Sequence, residues 1–312
     1  MTGAGGERAT GAAAWWAIIR RDRRAALGAA LVACFLAIGL VGPWLVGSPD
    51  ALLGVPLQPP SLSHWLGTTG QGQDVLAQTV VGTRVSLLIG FGVGAVVVVV
   101  GALLGVTAGY FGGWVDGLLS LVFNVFLVLP GLPLAIVLAA YLPAGPLTLA
   151  LVLVVTGWAW NARVVRAQTL MLRQRDFIAA AVVSGESHLR IITRELLPNL
   201  TSLLVAQVIG SAVYAIGAQA GLEFLGLGDV SAVTWGTNLY WATNDSALLT
   251  GAWWTFVPTG LCVALVGFGL AMLNSGFDEV TNPRLRGERS WRAHLLRAGQ
   301  PITRSTPVVP HG

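Results

Sequence analysis

Apolar and polar segments alternate along the 312-residue chain, with six apolar segments in all. The first has 22 residues. At 1.5 Å per residue such a helix is about 33 Å long, enough to cross the hydrocarbon core of a bilayer. The pattern predicts an all-α polytopic membrane protein with six transmembrane helices. They are expected at about 25–46, 85–110, 116–142, 147–162, 200–222 and 252–273.

The same pattern divides the chain into segments. We expect an N-terminal segment at 1–24, a first transmembrane helix at 25–46 and an external loop at 47–80. A core of five transmembrane helices follows at 81–275, and a tail occupies 276–312.

Composition supports a lipid environment. Hydrophobic residues make up 54% of the chain, charged residues only 10%, and the mean hydropathy is +0.73. Soluble domains carry about 25% charged residues. A chain so poor in charge cannot cover its own surface with polar groups, so lipid must be part of its solvent.

The arginines predict the orientation of the helices. Five lie within 1–24, six within 163–199 and six after residue 276, which leaves only Arg84. Basic residues accumulate on the cytosolic side of membrane proteins. Six crossings place these three segments on one side, so both termini are expected in the cytosol. Arg84 would lie at the outer mouth of the second helix, where it could snorkel or pair with Asp74.

The chain contains no lysine, which limits the chemistry it can perform. A phosphate-binding Walker loop needs a lysine, so any ATP chemistry would have to be performed by a partner. Cys34 and Cys262 fall in apolar segments, and the four histidines are scattered, so we expect no metal site and no catalytic residue. Because the arginines hug the membrane boundary, we also expect no nucleic-acid binding.

The arginine-rich interruption at 170–199 predicts two short helices joined by a sharp turn. An alanine-rich helical run at 177–183 precedes Gly185, which takes a positive φ angle at little cost. A second helix is expected from about Ser187, with Glu186 and Arg190 paired on one face. Pro198 then ends this helix or bends it into the next apolar segment.

This interruption resembles the "EAA" coupling loop of bacterial ABC importer permeases, in which Ala-Ala, Gly and Leu-Pro recur at fixed spacing. Ala179 stands where that loop has its glutamate, and Asp176 is the candidate for the acidic charge. The alternative is a loop that merely joins two helices. The resemblance implies contact with an ATPase through Asp176, Phe177, Ala180, Ala181, Gly185, Arg190, Leu197 and Pro198.

Three further stretches are similar to the dipeptide/oligopeptide/nickel subfamily of these permeases. They are HWLGTTGQGQDVLAQTVVGTRVSLLIG at 64–90, FLGLG followed by WG at 224–236, and NSGFDEVTNPRLRG at 274–287. The resemblance covers most of the chain and implies the type I ABC importer permease fold.

The sequence departs from the subfamily at four positions. Thr69 and Gln73 replace an aspartate and an arginine, which puts a salt bridge there in doubt. Gln219 stands where the subfamily has a glutamate and Glu223 where it has a small residue, so the acidic charge is expected one turn later.

Polar residues within the apolar segments are candidates for a translocation pathway. Polar groups are costly in lipid, so they should face a polar interior. Prolines in the third segment predict a kinked helix lining the conduit, and packing or interhelical hydrogen bonding is the alternative. The candidates are Asn124, Pro130, Gln207, Ser211, Tyr214 and Gln219.

The resemblance implies a permease subunit of an ATP-driven, binding-protein-dependent importer for short peptides. Its implied partners are a second permease subunit, two ATPase subunits or one fused ATPase carrying ATP and Mg²⁺, an external substrate-binding protein and membrane lipid. This chain itself would hold no cofactor. Alternatives are the same importer with nickel complexes or another small solute as cargo, and a self-contained channel or secondary transporter. An intramembrane enzyme is disfavoured, because the spans hold no pair of nucleophile and base.

Overall fold

The computed structural model describes residues 22–281, and the side chains of residues 22–275. Most of the predicted N-terminal segment and nearly all of the predicted tail lie outside the described residues. Within them the protein is α-helical, with two isolated β-bridges and no longer strand. The helices are α1 (Arg23–Leu45), α2 (Val75–Phe111), α3 (Gly113–Val128), α4 (Gly131–Tyr141), α5 (Pro146–Arg173), α6 (Asp176–Val183), α7 (His188–Ile191), α8 (Leu197–Phe224), α9 (Trp235–Asn244), α10 (Ala247–Thr250) and α11 (Val257–Thr281).

Five of these helices are long and apolar enough to cross a membrane, namely α1, α2, α5, α8 and α11. The pair α3 and α4 makes a sixth crossing only if it is counted as one span, because its two helices meet at 83°. The all-α polytopic prediction is therefore confirmed. The third predicted helix is interrupted at its first proline, as predicted, but by a break between two helices and not by a kink within one.

The break between α3 and α4 follows from Pro130. Its ring disfavours the helical conformation for the preceding residue, and both Leu129 and Pro130 are extended. Pro133 lies in the first turn of α4, where backbone N–H groups have no partner within the helix in any case. One proline therefore breaks the helix, and the second is accommodated at the start of the next.

Helix α2 begins ten residues before the predicted position. The Asp74 side chain caps it by accepting a hydrogen bond from the Ala77 N–H at 3.0 Å. The part of it that was predicted as loop carries polar side chains that are buried, at Gln78 and Thr79. Hydropathy placed this stretch in a loop because it scores a polar side chain alike whether that side chain packs against protein or faces water.

Helix α2 is the centre of the bundle and contacts neighbours through glycines. A Cβ on Gly101 would lie 2.8 Å from the Ala162 nitrogen of α5, and one on Gly94 would lie 2.9 Å from the Ala212 nitrogen of α8. Gly105 and Gly109 continue the contact with α5, so the glycines spaced four residues apart form a packing face. Helices α1 and α11 pack on the other side of the bundle, around Phe35, Leu87 and Leu270.

The two ends of the bundle differ. Residues 46–74 and 225–256, which we call the cap, fold together at one end. The Trp254 indole N–H donates to the Thr68 carbonyl at 3.3 Å, and the Trp235 N–H donates to the Ser86 hydroxyl at 3.1 Å. Residues 174–191, which we call the elbow, lie at the other end. The cap and the elbow therefore occupy opposite ends of the six apolar segments.

Candidate functional site

The elbow has the helix–turn–helix form that the sequence predicts. Helix α6 ends at Val183, Gly185 has φ 76°, and α7 starts at His188. The Arg190 Nε lies 3.5 Å from Glu186 Oε2, as the spacing of four residues predicts. The chain remains helical beyond the elbow, because a π-turn at Ile192–Leu196 leads directly into α8.

Pro198 does not end the second helix. It lies just after the π-turn at Ile192–Leu196, where the change of helical register accommodates it. Of the two outcomes that the sequence left open, the helix continues into the next apolar segment. Any movement of α7 is therefore passed to α8 without an intervening loop.

One face of the elbow is held by the bundle. Ile178 of α6 and Ile191 of α7 are buried in an apolar cluster with Val106 of α2 and Val165 of α5. The Tyr110 hydroxyl at the end of α2 forms a 2.9 Å hydrogen bond with His188 Nδ1. The elbow is thus fixed to the two helices that pack through glycines.

The opposite face of the elbow is exposed and apolar. Val183 is 88% exposed and Leu189 73%, and Phe177 and Val182 are exposed beside them. Such a patch marks an interaction site in most proteins. Of the predicted coupling residues, Asp176, Phe177, Ala180, Gly185, Arg190 and Pro198 are exposed, whereas Ala181 is half-buried against the bundle.

A cavity of about 550 Å³ lies within the bundle, bordered by α2, α3, α5, α8 and α11. It brings together Gln207, Ser211 and Tyr214, which the sequence placed on one polar stripe. Asn161 and Asn274 also line it, and Asn161 Nδ2 donates to the Ser211 hydroxyl at 3.1 Å. Sequence reasoning missed these two asparagines, because each is a lone amide near the end of an apolar segment. That isolated amide is the signal that could have found them.

Three predicted pathway residues, Asn124, Pro130 and Gln219, lie elsewhere. Asn124 is exposed on the outer surface of α3, so the prediction that it points into the bundle is wrong. Residues 121, 122 and 125 around it are also exposed, whereas Phe123 alone turns inward. Pro130 is exposed at the break between α3 and α4 and does not line the cavity.

Gln219 is buried, at 1% exposure, but lies apart from the cavity. Its Nε2 donates to Glu223 Oε1 at 3.0 Å, and the Thr234 hydroxyl donates to Glu223 Oε2 at 2.5 Å. Gly236 leaves room for this carboxylate, since a Cβ there would lie 2.5 Å from Glu223 Oε2. The acidic group at residue 223 therefore ties α8 to the cap.

The expected pairing of Arg84 with Asp74 does not form. Asp74 pairs with His64, whose Nδ1 lies 2.9 Å from Asp74 Oδ2, and Arg84 is exposed. Thr69 and Gln73 are joined through the backbone of Gln73, whereas the Gln73 side-chain oxygen accepts a hydrogen bond from Gln78 Nε2 at 3.0 Å. The Gln73 N–H donates to the Thr69 hydroxyl at 3.1 Å, and the Thr69 N–H donates to the Gln73 carbonyl at 2.8 Å.

An ion pair joins the start of α3 to α5. Arg166 of α5 pairs with Asp116 of α3 through both of its carboxylate oxygens, and Arg166 Nη2 lies 2.6 Å from Asp116 Oδ2. Bidentate pairing fixes geometry more firmly than a single contact. The start of α3 is thereby held close to the elbow end of α5.

The bundle has a cavity between its helices, and its exposed elbow continues directly into one of them. This architecture defines a helical transport protein of the membrane. The family described as binding-protein-dependent transport system inner membrane component matches residues 101–286. The chain belongs to this family of transport permeases.

Curated relatives cover most of the chain. The dipeptide transport system permease protein DppC of Bacillus subtilis (strain 168) is 31% identical over 278 residues, covering 87% of this chain and 85% of that protein. The oligopeptide transport system permease protein OppC of Mycobacterium tuberculosis (strain ATCC 25618 / H37Rv) is 35% identical over 280 residues, covering 87% and 95%. A putative peptide transport system permease protein of Brucella abortus biovar 1 (strain 9-941) is 32% identical over 275 residues, covering 86% and 91%.

Proposed function

We propose that this chain is one permease subunit of an ATP-driven importer for short peptides. A second, similar permease subunit completes the translocation pathway, and an external binding protein delivers the cargo to the cap. ATP and Mg²⁺ are held by cytosolic ATPase subunits, separate or fused, which contact the elbow. Three relatives whose names state peptide transport support the choice of cargo.

The exposed apolar face of the elbow is the observation that supports the proposed contact with the ATPase. A loop that only joined two helices would gain nothing from exposing Phe177, Val183 and Leu189 to water. The face lies on helices whose other side is packed into the bundle through Ile178 and Ile191. A partner bound there would move α2, α5 and α8 together.

The arginine distribution supports a cytosolic position for the elbow and both termini. The described part of the elbow end carries Arg173, Arg175, Arg190 and Arg194, whereas the cap carries no arginine. In this orientation the elbow faces the compartment that contains ATP, and the cap faces a binding protein outside.

The proposed cycle couples two sites through one bistable element. Closure of the ATPases on ATP displaces the elbow, α7 carries α8 with it through the π-turn, and the cavity changes the side to which it opens. Hydrolysis returns the elbow to its first position. The bistable element is the bundle around the cavity: cargo binds in the cavity, and nucleotide acts on the bundle through the elbow.

Site-specific crosslinking tests the docking role. In the assembled complex, with Cys34 and Cys262 replaced by alanine, we expect Val183→Cys to crosslink to a nucleotide-hydrolysing subunit. Leu249→Cys is the matched control, since it is 89% exposed but lies on the cap. Crosslinking from the cap residue alone would place the ATPase at the wrong end and reject the proposal.

Reconstitution tests the cargo. Vesicles containing the complete complex should accumulate a labelled dipeptide or tripeptide only with ATP inside and binding protein outside. Uptake of a nickel complex but no peptide would keep the importer class and change the cargo. Uptake by this chain alone, without ATP, would identify a self-contained transporter instead.

A further inference from the structure

The wall of the cavity offers hydrogen bonds but no charge. Its polar side chains are amides, hydroxyls and an indole, supplied by α5, α8 and α11, and none of the described residues that line it is charged. Most of the remaining wall is aliphatic, for example Val93 and Val97 of α2. A charged group held in such a site would lack a counter-charge in surroundings of low dielectric constant.

Three of these polar side chains are already engaged. The Thr156 hydroxyl donates to the Val152 carbonyl of its own helix at 2.9 Å, and Asn161 and Ser211 bond to each other. Gln207 has its whole amide group unpaired, because neither its Nε2 nor its Oε1 bonds to another protein group among the described residues; the Oδ1 of Asn274 is unpaired as well. Both Gln207 atoms are sheltered from solvent, in the wall between Leu203 and Ser211.

A primary amide in a sheltered wall is a good hydrogen-bonding partner for a peptide bond. It presents one acceptor and a pair of donors, and a peptide bond presents one donor and one acceptor. The two can therefore satisfy each other without any transfer of charge. An apolar helix of a partner subunit laid over Gln207 would leave both amide groups unpaired, which is unfavourable.

From this we infer that Gln207 binds the main-chain amides of the peptide cargo, so that this half of the pathway accepts peptides irrespective of their side-chain charge. The inference rests on the proposed peptide cargo. The recognised group is the main chain, which all peptides share. Rotation about the side-chain bonds of Gln207 brings its amide from the wall onto the cargo.

The test compares peptides with depsipeptides in vesicles that contain the complete importer and its binding protein. The cargoes are three tripeptides with neutral, acidic and basic central residues, and a depsipeptide in which one amide N–H is replaced by an ester oxygen. The variants are Gln207→Leu, which keeps the size but removes both polar groups, and the control Thr107→Val, which lies on α2 outside the cavity lining and whose hydroxyl donates to the Leu103 carbonyl at 2.7 Å. Each rate is divided by that of the unaltered complex with the same cargo, which cancels selection by the binding protein.

We expect Gln207→Leu to slow uptake of all three tripeptides by the same factor, about fivefold for the loss of one hydrogen bond. The depsipeptide should lose less, because its missing N–H has already removed part of the contact. Thr107→Val should change nothing, since that hydroxyl is occupied by its own helix and does not line the cavity. Gln207→Glu should favour the basic tripeptide over the acidic one.

Three results would overturn the inference. Equal loss for peptide and depsipeptide would show that Gln207 does not touch the amide. Unchanged uptake with Gln207→Leu would show that it does not touch cargo at all. Failure of that variant to co-purify with its partner subunits would make Gln207 an assembly residue. Absence of peptide uptake by the unaltered complex, with uptake of another solute, would instead reject the proposed function.

Discussion

The Tyr110 hydroxyl and His188 Nδ1 lie 2.9 Å apart and form the polar link between the end of α2 and the elbow. The rings also meet edge to face, with centroids 5.6 Å apart. Tyr110 is buried and His188 is exposed, so the bond joins the interior of the bundle to the surface proposed for docking. Helix α2 in turn packs on α5 and α8, which border the cavity.

Replacing Tyr110 with phenylalanine removes this bond but keeps the ring contact. We expect the variant to assemble and to hydrolyse more ATP for each cargo molecule imported. One hydrogen bond contributes about 1 kcal/mol, which corresponds to a change of about fivefold in a coupled equilibrium. The measurement is the ratio of ATP hydrolysis to uptake in vesicles.

Two further variants make this result specific. Tyr141→Phe is the control, since Tyr141 is exposed at the end of α4 and remote from the elbow. The double variant Tyr110→Phe with His188→Ala should be no worse than His188→Ala alone, because both changes remove the same bond. Additive losses would separate the two residues and contradict the link.

Gly185 can be tested against a glycine with the same backbone conformation at the other end of the protein. Gly185 has φ 76° and Gly251 has φ 73°, and a Cβ would meet no atom within 4 Å at either position. Valine at each therefore introduces the same strain of about 1–2 kcal/mol. We expect only Gly185→Val to uncouple hydrolysis from uptake, because only Gly185 sets the angle between α6 and α7. Equal uncoupling by Gly251→Val would trace the defect to general strain.

The sequence predicted most of the fold because lipid imposes a simple rule on helix length and polarity. It predicted the stripe of Gln207, Ser211 and Tyr214 because spacings of four and three place them on one helix face. It missed Asn161 and Asn274 because each lies on a different helix, and only tertiary packing brings them to the same cavity.

Other differences have the same origin. The polar start of α2 was placed in a loop because hydropathy does not distinguish burial in protein from exposure to water. The angle of 83° between α3 and α4 could not be read from Pro130 alone, since both helices also pack against α5. Asn124 was placed inside on polarity alone, although the α3 face that carries it packs against nothing within the described chain.

Gly105 tests the close packing of α2 on α5. A Cβ there would lie 2.5 Å from the Ala162 carbonyl oxygen, whereas one on Gly92 of the same helix meets nothing within 4 Å. We expect Gly105→Ala to lower stability by about 1–3 kcal/mol through overpacking. Gly92→Ala should be neutral or stabilising, since alanine favours helices. Thermal unfolding in detergent, followed by tryptophan fluorescence, measures both, and equal midpoints for the two would refute the close contact.

Asp245 makes the stability of the cap depend on pH. Its carboxyl lies against Gly70, and burial raises its pKa, partly offset by a hydrogen bond from the Gly70 backbone. A raised pKa in the folded state means that folding favours the protonated form. The contribution of Asp245 is therefore fully present below the ordinary aspartate pKa of about 4 and is lost as pH rises through the raised value.

The Asp245→Asn variant should lack this loss, so it should be more stable than the unaltered protein at neutral pH and equal to it in acid. Asp229 supplies a control of opposite sign, because hydrogen bonds from the hydroxyl and the N–H of Ser231 lower its pKa. Its contribution is present above the ordinary aspartate pKa and is lost as pH falls, so Asp229→Asn should cost stability at neutral pH. Unfolding midpoints of the purified protein across the acid to neutral range distinguish the two. A profile for Asp245→Asn that stays parallel to that of the unaltered protein would show that the buried carboxyl does not destabilise the cap.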